Sequence, residues 1–578
     1  MTNARIADEL DLIADLLEFQ GANPFRVRAY RNGARIVRDL PEAVETLLDD
    51  PDRRLTEFEG IGDDLAEKIT LLCQMGTHPF LEELKSKVPQ SVLQLLRIPG
   101  LGPKKAAVLF KELNVTSLED LRTACQAHRV QALKGFGKKT EATLLAGIDQ
   151  LATTEIRMYW AEADIIVQAL LAHLRPTPKV TQIQAAGSYR RGRETVGDID
   201  LLAAADDENA IMDRLATFED VDQVLARGDT KMSVRLRGGV QVDLRVVPAE
   251  SFGAALQYFT GSKDHNVVLR GMAKDRGLKI NEYGVFRVAE GAQSDAPPVA
   301  GRTEAEVYAA LDLPCFPPEL REARQEFAWA AAGKLPKLVE LDDIVGDLHM
   351  HTTETDGQDT LEAMVAAAQA RGLKYIAITD HSKRVSMARG LDAERLRQQW
   401  KAIDRLNAQL HGFTVLKGVE VDILEKGPLD LDDDVLAEAD WVVASVHYGQ
   451  SQPREQITAR ILGALKNPYV SAIAHPTGRI INRRPPYEVD LAAVFAVARD
   501  YGKLLELNSN PARLDLNDIN CASAKAHGIP IVISTDAHST KGLEVIRYGI
   551  LQARRAGLTK ADVANTRSWN ELKKLIGK

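Results

Sequence analysis

The sequence predicts a multidomain chain with an α-helical N-terminal region, an α+β middle and a C-terminal parallel α/β barrel. Three observations carry this. A Gly-hydrophobic-Gly turn recurs three times in the first 150 residues. Three aspartates sit on short apolar strands in the middle. Seven apolar runs follow, with polar residues at their C-terminal ends.

At 578 residues the chain exceeds what one core can hold and suits three or four domains. With 45% hydrophobic and 27% charged residues it reads as soluble and globular. No run of about 18 apolar residues occurs, so no membrane span is expected. The opening "MTNARIADELDLIADLL" is charged from residue 5 and lacks an apolar core and cleavage site, so it reads as a helix rather than a signal peptide. Cys73, Cys125, Cys315 and Cys521 are scattered, which fits reduced thiols and a cytoplasmic location. Residues 343–578 hold 30 basic and 30 acidic residues, so the first 342 carry the whole net charge of −9. Any nucleic-acid contact there must use local basic clusters and backbone amides.

The helical region contains "FEGIGDDLAEKI" (58–69), "IPGLGPKKAAVLF" (98–110) and "LKGFGKKTEATLL" (133–145). Each pairs two glycines around a hydrophobic residue before an amphipathic helix. Gly60 and Gly62, Gly100 and Gly102, and Gly135 and Gly137 free the backbone N–H groups at the next helix start to meet a phosphate, whatever the base. Lys104, Lys105, Lys138 and Lys139 stand where neighbouring phosphates could be met. The repeat resembles helix-hairpin-helix motifs, and DNA is the expected partner.

In "TQIQAAGSYRRGRETVGDID" (181–200) a strand leads to Gly187-Ser188, a basic turn and a second strand, on which Asp198 and Asp200 share a face. "KMSVRLRGGVQVDLRVV" (231–247) reads as a hairpin turning at Gly238-Gly239 with Asp243 in its second strand. A buried carboxylate needs a partner. Three converging acids would seat two Mg²⁺ (or Mn²⁺) ions for phosphoryl transfer. Gly187 and Ser188 could then serve triphosphate oxygens, with Arg191 as a fork-shaped counter-charge.

Together with the following "YFTG", the GSYRRG, GDID and QVDLR segments resemble the nucleotidyltransferase palm of family X DNA polymerases, of the beta type, over roughly residues 1–317. The resemblance implies metal-ligand and catalytic roles for Asp198, Asp200 and Asp243. It implies nucleotide contacts for Gly187, Ser188, Arg191, Tyr258, Phe259, Gly261, Asn266 and Arg270, with dNTPs and gapped or primer-template DNA as substrates. Two positions depart from the pattern: Gln241 replaces an arginine beside the third acid, and Lys263 replaces an aspartate near the base. Lys68 matches the lysine that forms a Schiff base with the 5′-deoxyribose phosphate in beta-type relatives. Asp63, Asp64 and Glu67 beside it oppose a lowered amine pKa, so an ordinary helix lysine competes with a lyase role.

Residues 319–342 read as a linking helix that Pro336 ends. The seven apolar runs then alternate with helical patterns, and their C-terminal ends bring together His349, His351, Asp356, His381, Glu420, His447, His475, Asp536 and His538. Six of the chain's twelve histidines lie in this set. Mixed imidazole and carboxylate ligands favour Mn²⁺, Zn²⁺ or Fe²⁺ over Mg²⁺, in a cluster of two or three ions. Arg479, Arg483 and Arg484 read either as phosphate contacts or as a solvated loop. The cluster resembles that of the polymerase and histidinol phosphatase (PHP) domain family, which implies a distorted (β/α)7 barrel with phosphoesterase chemistry.

The expected organisation is an N-terminal helical domain (1–95), a fingers-like helical region (96–150), a palm (151–262), a small thumb (263–318), a linker (319–342) and the PHP domain (343–578). The expected function is gap filling in DNA repair with a 3′–5′ exonuclease at the C-terminal cluster; abasic-site cleavage is also implied within the family. A polymerase with a structural PHP domain, a small-molecule phosphatase and a non-catalytic DNA scaffold are the alternatives. A monomer is the default, since no interface is legible.

Overall fold

The computed structural model describes residues 3–39, 44–49, 53–58, 60–75, 77–87, 95, 98, 101–153, 157–288 and 297–577. It divides into two compact units, Met1–Ile156 and Arg157–Lys578.

The first unit is helical. Its opening helix, Asn3–Phe19, buries Ile6, Leu10, Ile13 and Leu17 at the three- and four-residue spacing that makes one apolar face. Helices Asp63–Met75, Pro103–Leu113 and Lys138–Thr153 each follow a Gly-hydrophobic-Gly turn. The central residue of each turn, Ile61, Leu101 or Phe136, is buried in the unit's core, while Gly60, Gly62, Gly102, Gly135 and Gly137 are exposed. Gly60 and Gly135 adopt φ of +101° and +90°, a left-handed backbone that other residues rarely reach. Gly100 lies outside the described residues.

In the second unit a five-stranded sheet comes first: β1 (Val180–Ala185), β2 (Asp198–Ala205), β3 (Val221–Arg227), β4 (Lys231–Leu236) and β5 (Gln241–Val247). Its order is β1-β2-β5-β4-β3, and only the β2–β5 pair is parallel. Alternate residues of these strands meet Val167, Leu170 and Leu174 of helix Trp160–Leu174 in one core. The β4–β5 hairpin turns at Gly238-Gly239, as the glycines predict. Helices Phe252–Thr260 and Lys263–Asp275 follow, with a small hairpin (Leu278–Asn281 and Gly284–Arg287).

Residues 319–342 are packed onto their neighbours. Arg321 is buried and donates to Phe316 O and the Glu304 carboxylate. Glu326, also buried, holds His265 at 2.9 Å. The helix here covers only Glu326–Ala331 and stops before Gly333 at φ +63°, ahead of Pro336. A left-handed glycine ends the helix before the proline can.

The barrel strands run in sequence order and all in parallel: β6 (Gly346–Asp347), β7 (Tyr375–Ile378), β8 (Thr414–Asp422), β9 (Trp441–Ser445), β10 (Ala472–Ile473), β11 (Leu504–Asn508) and β12 (Ile531–Ser534). Alternation divides their side chains. Ile376, Val415, Val442, Leu505 and Ile531 pack beneath helices, while Tyr375, Leu416, Trp441, Leu504 and Val532 fill the interior with Leu572 of the last helix. β6 and β12 make no ladder with each other. The seam is bridged by a buried side chain instead: Asn565 Nδ2 donates to Gly346 O and Ile533 O, each at 2.7 Å, and Oδ1 accepts from Ile533 N at 3.0 Å. Past the strand ends, Met350 and Ala537 pair directly. Among the described residues no helix is long and apolar enough to cross a membrane.

Asn565→Ala would leave two carbonyls and one amide at the seam without their partner. The expected loss is about 3 kcal/mol or more, at roughly 1–3 kcal/mol for each of the three buried polar groups left bare. Scanning calorimetry should show the barrel's transition several degrees lower, and an unchanged midpoint would refute the bridging role.

Candidate metal centres and nucleotide cleft

The barrel's interior rows continue upward into the polar cluster. Tyr375 and Ala377 lead by steps of two to His381, Leu416 and Gly418 to Glu420, and Trp441 and Val443 to His447. Val532 and Ser534 lead likewise to Asp536 and His538. Apolar residues fill the lower barrel and ligand-type residues its C-terminal mouth, because both stand on the same strand face.

Three overlapping groups of donor atoms result: His351, Asp356, His381 and His538; His349, His351 and Asp536; and His381, Glu420 and His447. Atoms within each group lie within 4.8 Å of one another. His475 joins them through Glu420, its Nε2 lying 3.1 Å from Oε1. All nine residues expected from the sequence therefore converge. Glu420 is the hub: Oε1 also faces His447 at 3.4 Å, and Oε2 faces His381 at 2.8 Å, His349 at 3.5 Å and His351 at 3.7 Å.

The donor set fits cations. His349 Nε2 and His351 Nδ1 are buried without a hydrogen-bond partner. Carboxylate oxygens stand 3.5 Å from the first and 3.9 Å from the second. That exceeds hydrogen-bonding distance but is close to the separation of two ligands on one ion, about 3.4 Å for tetrahedral bonds near 2.1 Å.

The charges of these side chains compensate one another. Burial opposes charge on Glu420 and Asp536, yet the surrounding imidazoles hold both carboxyls well below the ordinary range. Burial likewise opposes charge on His381, but Glu420 and Asp356 keep it protonated up to about 10. Burial, then His538 and His381, drives His351 down to about 4, leaving it neutral and ready to ligate.

Sequence reading missed the carboxylates that orient these rings. Glu506 Oε1 accepts from His349 Nδ1 at 2.7 Å and Oε2 from His475 N at 2.6 Å. Asp422 Oδ1 lies 3.2 Å from His447 Nδ1. Asp347 holds Thr535, next to Asp536, through its hydroxyl at 2.5 Å and its N–H at 3.1 Å. The available signal was an acid inside an apolar run, as in "KLLELNSN".

The second constellation stands on the five-stranded sheet. Parallel pairing places Asp200 beside Asp243, with Asp198 two residues before Asp200 on the same face, and the three donate to one group. Burial, then Asp198 and Asp243, pushes the Asp200 carboxyl up to about 7. A cation among them removes that repulsion. Ser233 donates to Asp243 Oδ1, and Gln241, at one of the departing positions, donates to Oδ2 at 3.0 Å.

The eight residues expected around the nucleotide all line one cleft of about 420 Å³, with Asp198, Asp200 and Lys263. Gly187 has φ +60°, and a Cβ there would stand 2.2 Å from Asp200 Oδ2. Ser188 Oγ is buried without a partner. Tyr258 and Phe259 meet edge to face at 5.1 Å. Asn266 is held by Tyr258 O at 2.8 Å and by Gln257 at 2.7 Å, and its own carbonyl accepts from Arg270 Nε at 3.2 Å. Arg191 is less free than its sequence position implies: Nε donates to Glu322 Oε1 at 3.1 Å and Nη1 to Thr260 O.

Arg479 answers to neither sequence reading. It is buried, donating to Glu194 at 2.6 Å, Arg513 O at 2.8 Å and Leu514 O at 2.7 Å, and so ties the barrel to the sheet domain. Arg484 donates to Gly478 O at 3.0 Å, whereas Arg483 is exposed. In the first unit Gly60, Gly62, Gly102, Gly135 and Gly137 are exposed. Lys105 lies over the Phe136 ring, and Lys104 stands 3.6 Å from Glu18. Lys68 is buried and paired with Asp64 one turn earlier.

Comparisons with known proteins find matches along the helical unit, the sheet domain and the barrel. Family models match for a helix-hairpin-helix domain (1–78), a SAM-like helix-hairpin-helix tandem (92–149), the DNA polymerase beta palm (157–235) and thumb (255–322), and the PHP domain (347–510). The DNA polymerase/3′-5′ exonuclease PolX of Bacillus subtilis (strain 168) is 41% identical over 98% of both chains. A probable phosphatase of Thermoanaerobacter sp. (strain X514) is 31% identical over 39% of this chain and 91% of its own. DNA polymerase lambda of Rattus norvegicus is 26% identical over 55% of this chain and 56% of its own.

Two substitutions test the two sites. Glu506→Gln should weaken metal binding to the barrel by about 10- to 100-fold, as loss of a ligand's supporting carboxylate does, in titrations followed by metal analysis. Gly187→Ala should displace Asp200 and cut nucleotide incorporation by about 100-fold or more while leaving the barrel's metal content unchanged; normal incorporation would show that the close approach has no consequence.

Proposed function

The chain belongs to the family X DNA polymerases that carry a C-terminal PHP domain, and we propose that it fills short gaps in DNA and trims 3′ ends at the barrel cluster. One observation supports this reading: two separate groups of ligand-type side chains stand on different sheets of the same chain.

At the sheet domain, Asp198, Asp200 and Asp243 would hold Mg²⁺ or Mn²⁺. At the barrel, the nine histidines and acids would hold two or three Mn²⁺, Zn²⁺ or Fe²⁺ ions. Divalent cations supply Lewis acidity at both centres, favouring attack by a primer 3′-hydroxyl at one and by water at the other.

The chain's own groups supply placement. Among the described residues Ser188 Oγ has no partner and Arg191 Nη2 makes no hydrogen bond, which supports a role for both toward triphosphate oxygens. The Tyr258–Phe259 pair and the adjoining Gly261 form a wall against the sugar, a surface with little space for a 2′-hydroxyl. Lys263 replaces an acid in this cleft and adds positive charge near the base. The exposed glycine turns of the helical unit present backbone N–H groups to DNA phosphates without reading sequence. Such contacts weaken steeply with added salt.

At the barrel, neutral His351 offers a ligand nitrogen, and Glu506 and Asp422 fix His349 and His447 by accepting their Nδ1–H protons. Glu420, reaching five imidazoles, spaces the donors for several cations.

A separation-of-function assay tests the whole reading. Protein carrying Asp200→Ala, given Mn²⁺ and a 5′-labelled recessed end without dNTPs, should shorten the strand stepwise. His349→Ala should lose shortening yet fill a one-nucleotide gap when dNTPs are added. If neither variant nor the wild type shortened the strand while wild-type gap filling persisted, the barrel's role would be structural.

A further inference from the structure

The cleft and the barrel share a chain of alternating charges. Glu322 Oε1 accepts from Arg191 Nε at 3.1 Å and from Arg555 Nη1 at 2.9 Å. Arg555 belongs to barrel helix Ile546–Arg555, outside the sheet domain that bears the cleft. The same Nη1 donates to Arg191 O at 2.7 Å. Beyond Arg555 comes Asp518, which its Nη2 meets at 2.9 Å and Arg324 meets at 3.0 Å. Arg191, Arg555 and Glu322 are largely shielded from water. One turn before Arg555, Gln552 donates to Gly192 O at 2.9 Å, and a Cβ on Gly192 would stand 3.3 Å from Leu551. The loop that follows the Gly187-Ser188 turn is thus seated on a barrel helix.

Charge counting gives this contact its meaning. Arg191 and Glu322 alone would cancel, and a cancelled guanidinium attracts a triphosphate weakly. Arg555 shares the same carboxylate oxygen and Arg324 offsets Asp518, so the three arginines and two carboxylates keep one net positive charge, and Arg191 Nη2 makes no hydrogen bond among the described residues. We infer that Arg555 is a positioning residue for nucleotide binding: it neutralises Glu322 from the barrel side so that the charge of Arg191 remains available to the triphosphate. The inference rests on the reading of the cleft as the polymerase site. It makes the barrel part of that site's electrostatics, independently of any nuclease chemistry.

The test is single-nucleotide gap filling by the full-length protein, with dNTP concentration varied, for wild type, Arg555→Gln, Glu322→Gln and the double variant. Arg555→Gln should raise the KM for dNTP about tenfold, equivalent to about 1.4 kcal/mol, with kcat changed much less. Glu322→Gln should leave KM at or below the wild-type value. Adding it to Arg555→Gln should restore KM toward wild type, because no carboxylate remains to cancel Arg191. A merely structural arginine predicts no such rescue. Should Arg555→Gln fail to fold, Glu322→Gln alone decides: a tenfold rise in its KM would overturn the charge argument. An unchanged KM in Arg555→Gln, or losses that accumulate in the double variant, would overturn the inference with the cleft's reading intact. Wild-type protein that incorporates no dNTP would overturn both.

Discussion

The barrel is organised around one buried carboxylate. Glu420 is 1% exposed, and an isolated acid at that depth would cost several kcal/mol of lost hydration. It stays ionised because five imidazoles surround it, and these are held in turn by Asp356, Asp536, Glu506 and Asp422. Removing one member leaves charge uncompensated on the others. Sequence variation at this mouth is therefore constrained by electrostatics even where a residue touches no substrate. The strands serve the same constraint: short ladders bring rows of alternate residues to a common height, and the Asn565 bridge completes the circle where β6 and β12 do not pair.

Much of this was legible in the sequence, for a geometric reason. A parallel barrel separates interior from exterior with period two, so a histidine or acid two or four residues beyond an interior apolar residue must face the mouth. His381 after Tyr375 and Ala377, and His447 after Trp441 and Val443, obey that rule. The aspartates of the sheet domain were legible by the same alternation, and the glycine turns by their repeated spacing. Each depends on local periodicity, which one chain displays without further information.

What periodicity does not encode is partnership across the chain. Nothing near Arg479 names Glu194, and nothing near Arg191 names Arg555. Loop arginines look solvated in sequence because arginine is usually exposed. Here Arg479 is buried because a second domain covers it and supplies acceptors for its fork. Glu506 escaped notice for the converse reason. An acid within "LLEL" reads as a strand residue until the ring it holds is brought against it.

The joint between the sheet domain and the barrel has a kinetic consequence. Tyr159 donates to Ile481 O at 2.9 Å, Asn482 to Arg157 O at 2.7 Å and Arg479 to Glu194 at 2.6 Å, within one compact unit. With the two domains fastened in this way, a primer shared by the two proposed centres would itself have to travel between them. On the proposed function, fidelity would become a race between rate constants: a correctly paired end would be extended before it escapes, and a mispaired end, extended slowly, would have time to leave and be captured by the other centre. Selectivity of that kind needs no signal passing between the two sites, only a difference in dwell time.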